Sequence, residues 1–571
     1  MTPDSWLERN LAALARRDRA LAERLCWAVD SSHVAPGGEA GDAEQRLQLR
    51  VQQTWYPLEL SDTEVDLALR AADQTDAAAP AEVFVFGAGT GEMAARLLAR
   101  DAGPAITLWD RDPFMLRLTL SRADWGKELI SGRLRPVLGA DLFAELERLP
   151  AVVVFHPLLA QIYRNERALL TAAPDRRALI CSGGLFVDDV ADALRASGHA
   201  VYTLDAARLS VEELALTVRV TRPVLLAAIN YTEGLAEFCE SEAVPLVCWE
   251  VDPSLQRLAP VMPPPLRSRI FTYRRAHVAD YRRAGFPHAE FLPLAANPAR
   301  RAPVPLSAEE AHRFAVPVAF VGASMADRID SLRAQFIAVY LGFRSPAAED
   351  AGAAAAARAQ AERLLDQLLA RQRTDFDRYL IPALLAETEP DFRAHCQGPG
   401  ALDAEQIAGE LAAGEKRLAL LGALAAADPG DGSRQVNVWG DQGWRGAPAV
   451  RYRGVAGHLV ELNKIYATAR VNLDIGRLYQ MDIVTMRVFD VLACGGFLLT
   501  ERSPALAELF RPGHDLDVFT GIDELIDKTR YYLGHPALAA RIAAQGRATV
   551  MGKHTVAQRL SHMLAALPGP G

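Results

Sequence analysis

The sequence predicts an α/β chain in which doubly wound parallel-sheet units follow one another and the last is interrupted by a helical insertion. Three observations lead there. Short apolar runs such as Val83–Phe86, Leu246–Glu250 and Val471–Ile475 alternate with amphipathic segments of helical period. Glycines stand directly after several of these runs, at Gly87, Gly89 and Gly91, at Gly183 and Gly184, and at Gly322, where a strand must turn sharply into a helix. Between Leu332 and Leu424 the strand signal disappears and Ala, Glu, Arg and Leu recur at helical spacing.

Composition narrows the function classes. The chain has 571 residues, 50% hydrophobic and 23% charged, enough for three or four globular domains. Its 71 acidic residues outnumber the 62 basic ones, and no Lys/Arg block stands out, so nucleic-acid binding is not expected. The N-terminal stretch is charged and amphipathic rather than a leader, and no run reaches the ~20 apolar residues of a membrane span. Six cysteines without paired spacing predict buried thiols in a cytoplasmic protein, with neither disulfides nor a zinc site.

In chain order, residues 1 to about 79 read as helical, with a polar loop over Ser31–Gly41 and an Ala/Asp-rich lead-in at Thr75–Pro80. The strand Val83–Phe86 then runs into Gly87, Gly89 and Gly91, and a second strand, Ile106–Trp109, ends in Asp110. A glycine turn at a helix N-terminus suits a ligand's close approach, and an acidic residue at that distance suits a ribose diol. This pattern resembles the cofactor site of S-adenosylmethionine-dependent methyltransferases, although Val85 stands where that family has an acidic residue. The resemblance leaves two readings of residues 1–175, a Rossmann-like scaffold or a cofactor-binding domain using Gly87, Gly89, Gly91 and Asp110. His156 reads as a strand-end residue without a role.

Residues 176–303 read as a second doubly wound unit. ALICSGGLFVDD is strand, glycine loop and helix start, with Asp188 a candidate cap. Strands follow at Ala200–Leu204, Val224–Ile229, Leu246–Glu250, Ile270–Tyr273 and Ala289–Leu294, with helices between them. Ligands sit at the carboxyl ends of such strands. Asn230, Tyr231, Glu233, Glu250 and Asp252 stand there as candidate acceptor contacts or catalytic bases, while Trp249 reads as core.

Residues 304–571 read as the third unit, with the insertion at about 332–430. VPVAFVGASMADR supplies Gly322, Ser324 as a cap and Arg328 in the first helical turn. Arg451, Tyr452, Arg453 and Gly454 form a basic-aromatic patch. The stretch ARVNLDIGRLYQMDIVTMRVFDVLACGGFLLTE reads as strand, loop, helix, glycine turn and strand. Within it Asp482 and Asp490 lie eight apart, and Arg477 and Arg487 are able to grip phosphate bidentately.

MRVFDVLACGGFLLTE and the residues after it, to about His554, resemble the C-terminal domain of glycosyltransferases of the GT-B fold that include the CgeB spore-maturation group. PLVCWEVDP and FTYRRAHVADYRRAGFPHAEFLPLAAN resemble the N-terminal, acceptor-holding half. The resemblance implies two Rossmann-like GT-B domains and a nucleotide-diphosphate sugar as co-substrate. It also implies an acidic pair at the donor site, here Asp482 and Asp490 although both are Asp where Glu is usual, with Asp490 on the ribose. Gly322 and Arg328 are then diphosphate neighbours, Tyr452 and Gly454 approach the base, and Gly495 and Gly496 approach the sugar or phosphate. Arg477 and Arg487 neutralise the leaving diphosphate without a metal, and no DxD-type motif is present in a suitable loop. Asp482, Arg487 and Asp252 are the catalytic candidates; retention or inversion stays open. The expected partners are a protein or cell-surface glycan acceptor and a possible second copy of the chain. The rival expectations are a methyltransferase, alone or in a bifunctional protein, and a non-catalytic binder of nucleotide sugars.

Overall fold

The computed structural model describes the chain apart from residues 1–2, 38–45, 52–53, 74–80, 101–102, 147, 172–175, 253, 345–350, 429, 448, 459, 481 and 568–571. The lead-in expected at Thr75–Pro80 and the tip of the Ser31–Gly41 loop lie outside the described residues. Two compact units emerge, Met1–Ile180 with Gly198–Val224, and Cys181–Ser197 with Leu225–Gly571. The sequence boundaries at 175/176 and 303/304 do not coincide with this division.

In the first unit, helices at Pro3–Ala15, Arg19–Cys26 and Asp62–Asp73 flank a feature the sequence reading missed. Strands β1 (Val34–Pro36), β2 (Leu47–Val51) and β3 (Thr54–Pro57) form an antiparallel sheet, β1 within the expected polar loop and β2 and β3 where helix was expected. The reason is local: LQLRV and TWYP combine β-branched and aromatic residues in runs too short to show a period. A parallel sheet follows, built from β4 (Glu82–Phe86), β5 (Ala105–Asp110), β6 (Leu134–Leu138) and β7 (Val152–Phe155) in the order β6-β5-β4-β7. Its central strand is buried on both faces, which explains its unbroken apolar run. Strands β8 (Arg177–Cys181) and β9 (Ala200–Leu204) lie side by side after it.

The second unit holds two parallel sheets, as the GT-B expectation requires. One runs β10 (Leu225–Ile229), β11 (Leu246–Glu250), β12 (Ser268–Thr272) and β13 (Ala289–Phe291), each parallel to the next. The other has the order β16-β15-β14-β17-β18-β19, all parallel. Its strands are β14 (Val318–Val321), β15 (Val436–Trp439), β16 (Arg451–Tyr452), β17 (Val471–Asp474), β18 (Leu498–Glu501) and β19 (Asp517–Phe519). The edge strand β19, three residues long, lies between the helices Pro504–Leu509 and Gly521–Gly534.

The insertion is helical as expected, with helices at Ile329–Arg344, Ala351–Gln372, Ile381–Thr388, Pro390–Cys396 and Ala404–Ala426. It packs its own apolar core around Leu332, Phe336, Tyr340, Phe392 and Ile407, all fully buried. The C-terminal helix Val556–Ala565 returns to the first sheet, where Arg559 Nε donates to Pro293 O at 2.8 Å and Nη2 to Leu294 O at 3.3 Å.

Candidate functional site

The carboxyl ends of β14, β15 and β17, the start of helix Met486–Ala493 and the first sheet of the same unit enclose a cavity of about 580 Å³. Gly322 opens one wall. A Cβ there would lie 2.9 Å from Arg487 Nη2 and 3.0 Å from the Phe320 ring, so glycine lets the guanidinium lie close against the loop. The loop is held from behind, since Trp444 Nε1 donates to Gly322 O at 2.8 Å and the Ser324 amide donates to Asp441 Oδ2 at 2.6 Å. Ser324 Oγ accepts from the Ala326 amide at 3.1 Å, although Met325 and not Ser324 is the N-cap of the turn that follows.

Four arginines reach this cavity: Arg328, Arg417, Arg477 and Arg487. Arg487 pairs with Asp474, whose other oxygen accepts from Thr485 at 3.0 Å and Thr500 at 3.1 Å. Arg477 Nη1 donates to Tyr479 Oη at 2.9 Å and lies 3.1 Å from Glu410 Oε1. Arg328 has no ion-pair partner among the described residues.

Arg417 was missed. It lies in the last insertion helix, 6% exposed, with Nη1 donating to Ala323 O at 3.0 Å and Nη2 to Ile475 O at 3.4 Å. Burial first, and then Arg487 and Arg477, push its pKa down to about 10, so it remains a cation near neutrality. Its Nε, and the indole Nε1 of Trp439 on the same cavity wall, are buried without a hydrogen-bond partner. Unfilled buried donors are costly in a protein interior. Beside clustered cations they make a receptor for an oxygen-rich anion. The only hint in the sequence was Lys416-Arg417 interrupting an otherwise Ala/Leu-rich helix.

The other expected residues divide into those at the cavity and those beside it. Gly322, Arg328, Arg477, Arg487 and Asp252 line it. Gly454, with φ +94°, precedes the lining residues Val455 and Ala456 and accepts from the Gly440 amide at 3.0 Å. Tyr452 sits behind the wall, its hydroxyl donating to Gly440 O at 3.3 Å. Asp482 is not among the lining residues, and its Oδ1 lies 3.3 Å from Arg274 Nε of the first sheet's end. Asp490 is buried against Arg301 at 2.8 Å. Gly496 serves packing, since a Cβ there would fall 2.1 Å from Tyr466 O, and Gly495, with φ +77°, turns the chain after the helix.

Asp252, just beyond β11, stands open to the cavity, and the Asn230 side-chain carbonyl accepts from its amide at 3.0 Å. Its carboxyl is held above the ordinary aspartate value, first by desolvation, with Arg477 and Asn230 pulling it back. The other strand-end candidates gather around a neighbouring cavity of about 190 Å³ that includes Asn230, Tyr231, Glu250 and again Asp252. Glu233 lies outside both cavities. Trp249 is core, as read. Asp188 does not cap its helix; it faces Arg300 at 3.4 Å.

The glycine turn of the first unit is filled by its own side chains. A Cβ on Gly89 would meet His156 Nε2 at 2.6 Å, and one on Gly91 would meet Thr119 at 2.9 Å. His156 is therefore not a bystander at a strand end. Asp110 already accepts from the Ala88 amide at 2.8 Å, the Asp112 amide at 2.9 Å and the Tyr163 hydroxyl at 2.8 Å. Burial pushes Asp110 up to about 6 and His156 down to about 4. This chemistry does not fit a ribose diol, because the carboxylate is fully buried with three donors already on it and the ring occupies the approach to the turn.

Among the described residues no group of three or more His, Cys, Asp or Glu could hold a metal ion, and no helix is long and apolar enough to cross a membrane. Residues 417–565 match a family profile described as "Glycosyl transferase-like". No curated protein sequence matches the chain. Among solved structures, the chain is similar to Anabaena HepE in complex with UDP and glucose, at 12% identity over 69% of this chain and 100% of that one, with a TM-score of 0.38. It is similar to a Rickettsia africae glycosyltransferase at 9% identity over 68% and 97%, TM-score 0.41. T4 phage BGT in complex with UDP-glucose stands at 11% identity over 68% and 97%, TM-score 0.36. The profile match thus takes in Arg417, Arg477 and Arg487, three of the four arginines at the cavity.

Proposed function

We propose that the chain is a metal-independent glycosyltransferase that binds a nucleoside-diphosphate sugar in the larger cavity of its second unit. One observation carries this reading: four arginines, one of them buried with an unfilled Nε–H, converge on a glycine-opened loop at the ends of a parallel sheet. Guanidinium groups bind phosphate oxygens bidentately. A diphosphate gains charge as the glycosidic bond breaks, so Arg328, Arg417, Arg477 and Arg487 stabilise the leaving group without a divalent ion. The profile match over the second sheet supports the same chemistry.

In this reading the acceptor hydroxyl oxygen attacks the anomeric carbon, the bond from that carbon to the diphosphate oxygen breaks, and the diphosphate leaves with the electron pair. The hydroxyl proton goes to Asp252, whose raised pKa suits a general base. That assignment makes the transfer inverting. A protein or cell-surface glycan is the proposed acceptor. The first unit is proposed as a scaffold, since its own His156 and Tyr163 fill the place an S-adenosylmethionine would need. The test is calorimetric titration of the intact chain with UDP, GDP, dTDP and S-adenosylmethionine. Binding of one nucleoside diphosphate, weakened in Arg417→Met, is expected; binding of S-adenosylmethionine alone would overturn the reading.

A further inference from the structure

The smaller cavity is built from two distant parts of the sequence. One wall is the end of the first sheet, with Asn230, Tyr231, Glu250 and Tyr281; the other is the insertion segment Gln397–Gln406. The two walls are tied together. Arg257 Nη2 lies 2.8 Å from Asp403 Oδ2 and its Nε donates to Cys396 O at 3.1 Å. The Asp403 amide donates to Leu255 O at 2.8 Å, and Gln256 bridges to Leu402. The insertion is thus fixed as a wall over the carboxyl ends of the first sheet.

Its lining mixes apolar residues such as Leu258, Pro260 and Ala284 with polar side chains, and it is short of positive charge. Glu250, Asp252, Asp280 and Asp403 face it, against Arg257 and Arg283. Arg257 is committed to Asp403, Arg283 to Asp280, and His277 Nδ1 to Glu250 at 2.9 Å. Gln406, 6% exposed, lines the cavity with an Nε2 that has no hydrogen-bond partner. A ligand completing this set must accept from a buried amide while donating to carboxylates. Hydroxyl groups do both, and an anionic group would be repelled. Asp252 borders this cavity and the arginine-lined one alike.

We propose that this insertion-walled cavity is the acceptor subsite and takes a neutral or cationic saccharide unit, with one hydroxyl directed at Asp252. The inference rests on the glycosyltransferase reading and adds to it a role for the insertion and a substrate class. The transfer balances as already written: the saccharide's oxygen gains the anomeric carbon and its proton passes to Asp252.

The experiment is saturation-transfer NMR on the intact chain with glucose, glucosamine and glucuronic acid as probes, with and without the nucleoside diphosphate that binds. Gln406→Leu, of similar volume, removes only the unfilled amide. Glucose and glucosamine are expected to bind and glucuronic acid to bind more weakly, with the Gln406→Leu affinity lower by about tenfold and nucleotide affinity unchanged. Absence of any saccharide signal, an unaltered affinity in Gln406→Leu, or glucuronic acid binding as well as glucosamine would each overturn the proposal. Loss of nucleotide binding in the unaltered chain would instead sink the donor reading, and the saccharide signal would still decide the cavity.

Discussion

Arg301 Nε lies 2.8 Å from Asp490 Oδ2, both side chains withdrawn from water, and this pair fixes the segment between the two sheets of the second unit onto helix Met486–Ala493. Desolvation raises Asp490 to about 6 while Arg301 draws it back. Removing one partner of a buried pair strands the other charge. Arg301→Leu is therefore expected to destabilise the chain by about 3–5 kcal/mol, and Asp490→Asn, which leaves a neutral partner, by less. Urea denaturation followed through the second unit's tryptophans checks the order of the two variants.

Arg417→Met keeps the aliphatic stem and removes the cation. Charge-assisted hydrogen bonds contribute about 1.5–3 kcal/mol, so the affinity for a nucleoside diphosphate should fall by about 10–100-fold. Titration calorimetry measures this, and an unchanged far-ultraviolet circular dichroism spectrum shows that the helix persists.

Asp252→Asn should leave nucleotide affinity intact and lower kcat by about 10²–10⁴-fold, the range expected for loss of a general base. Initial rates of donor consumption with acceptor present, set beside nucleotide binding in the same variant, separate the two effects.

The first unit carries opposed pH dependences. Asp110, raised to about 6, loses stabilisation as pH climbs from about 4 to 6, because the native state holds the proton that the unfolded state releases. His156, lowered to about 4, does the reverse, losing stabilisation as pH falls from about 6.5 to 4. Each is worth about 3 kcal/mol over its window, so the two offset one another. In Asp110→Asn only the His156 contribution remains, and the variant should become acid-labile below about pH 6. Amide exchange across Val83–Phe86 as a function of pH reads this out.

Much of this architecture was legible because buried parallel strands announce themselves as unbroken apolar runs, as at Val471–Asp474 and Leu246–Glu250. Arg477 and Arg487 were legible because they follow a strand end or open a helix. Arg417 was not, since it lies inside the helix Ala404–Ala426, far in sequence from Arg477 and Arg487, and only packing turns it inward. The spacing of Asp482 and Asp490 does not bring the two carboxylates together, for a geometric reason. The helix begins only at Met486, with Thr485 at its N-cap, so the two carboxylates never share a helical face. One was left beside Arg274 and the other was drawn into the interior. His156 looked idle because nothing local signals that Gly89, 67 positions earlier, would accept its ring.

The neighbouring arginines of the connecting segment are bound in opposite directions. Arg300 Nε meets Asp192 at 2.7 Å on the first sheet's side, and Arg301 meets Asp490 on the second's. Consecutive Cα atoms are about 3.8 Å apart, so at this point the two halves have no freedom to slide. The cleft is therefore pinned here as well as at Arg257–Asp403 and Arg274–Asp482, so its two sides are clamped from more than one direction.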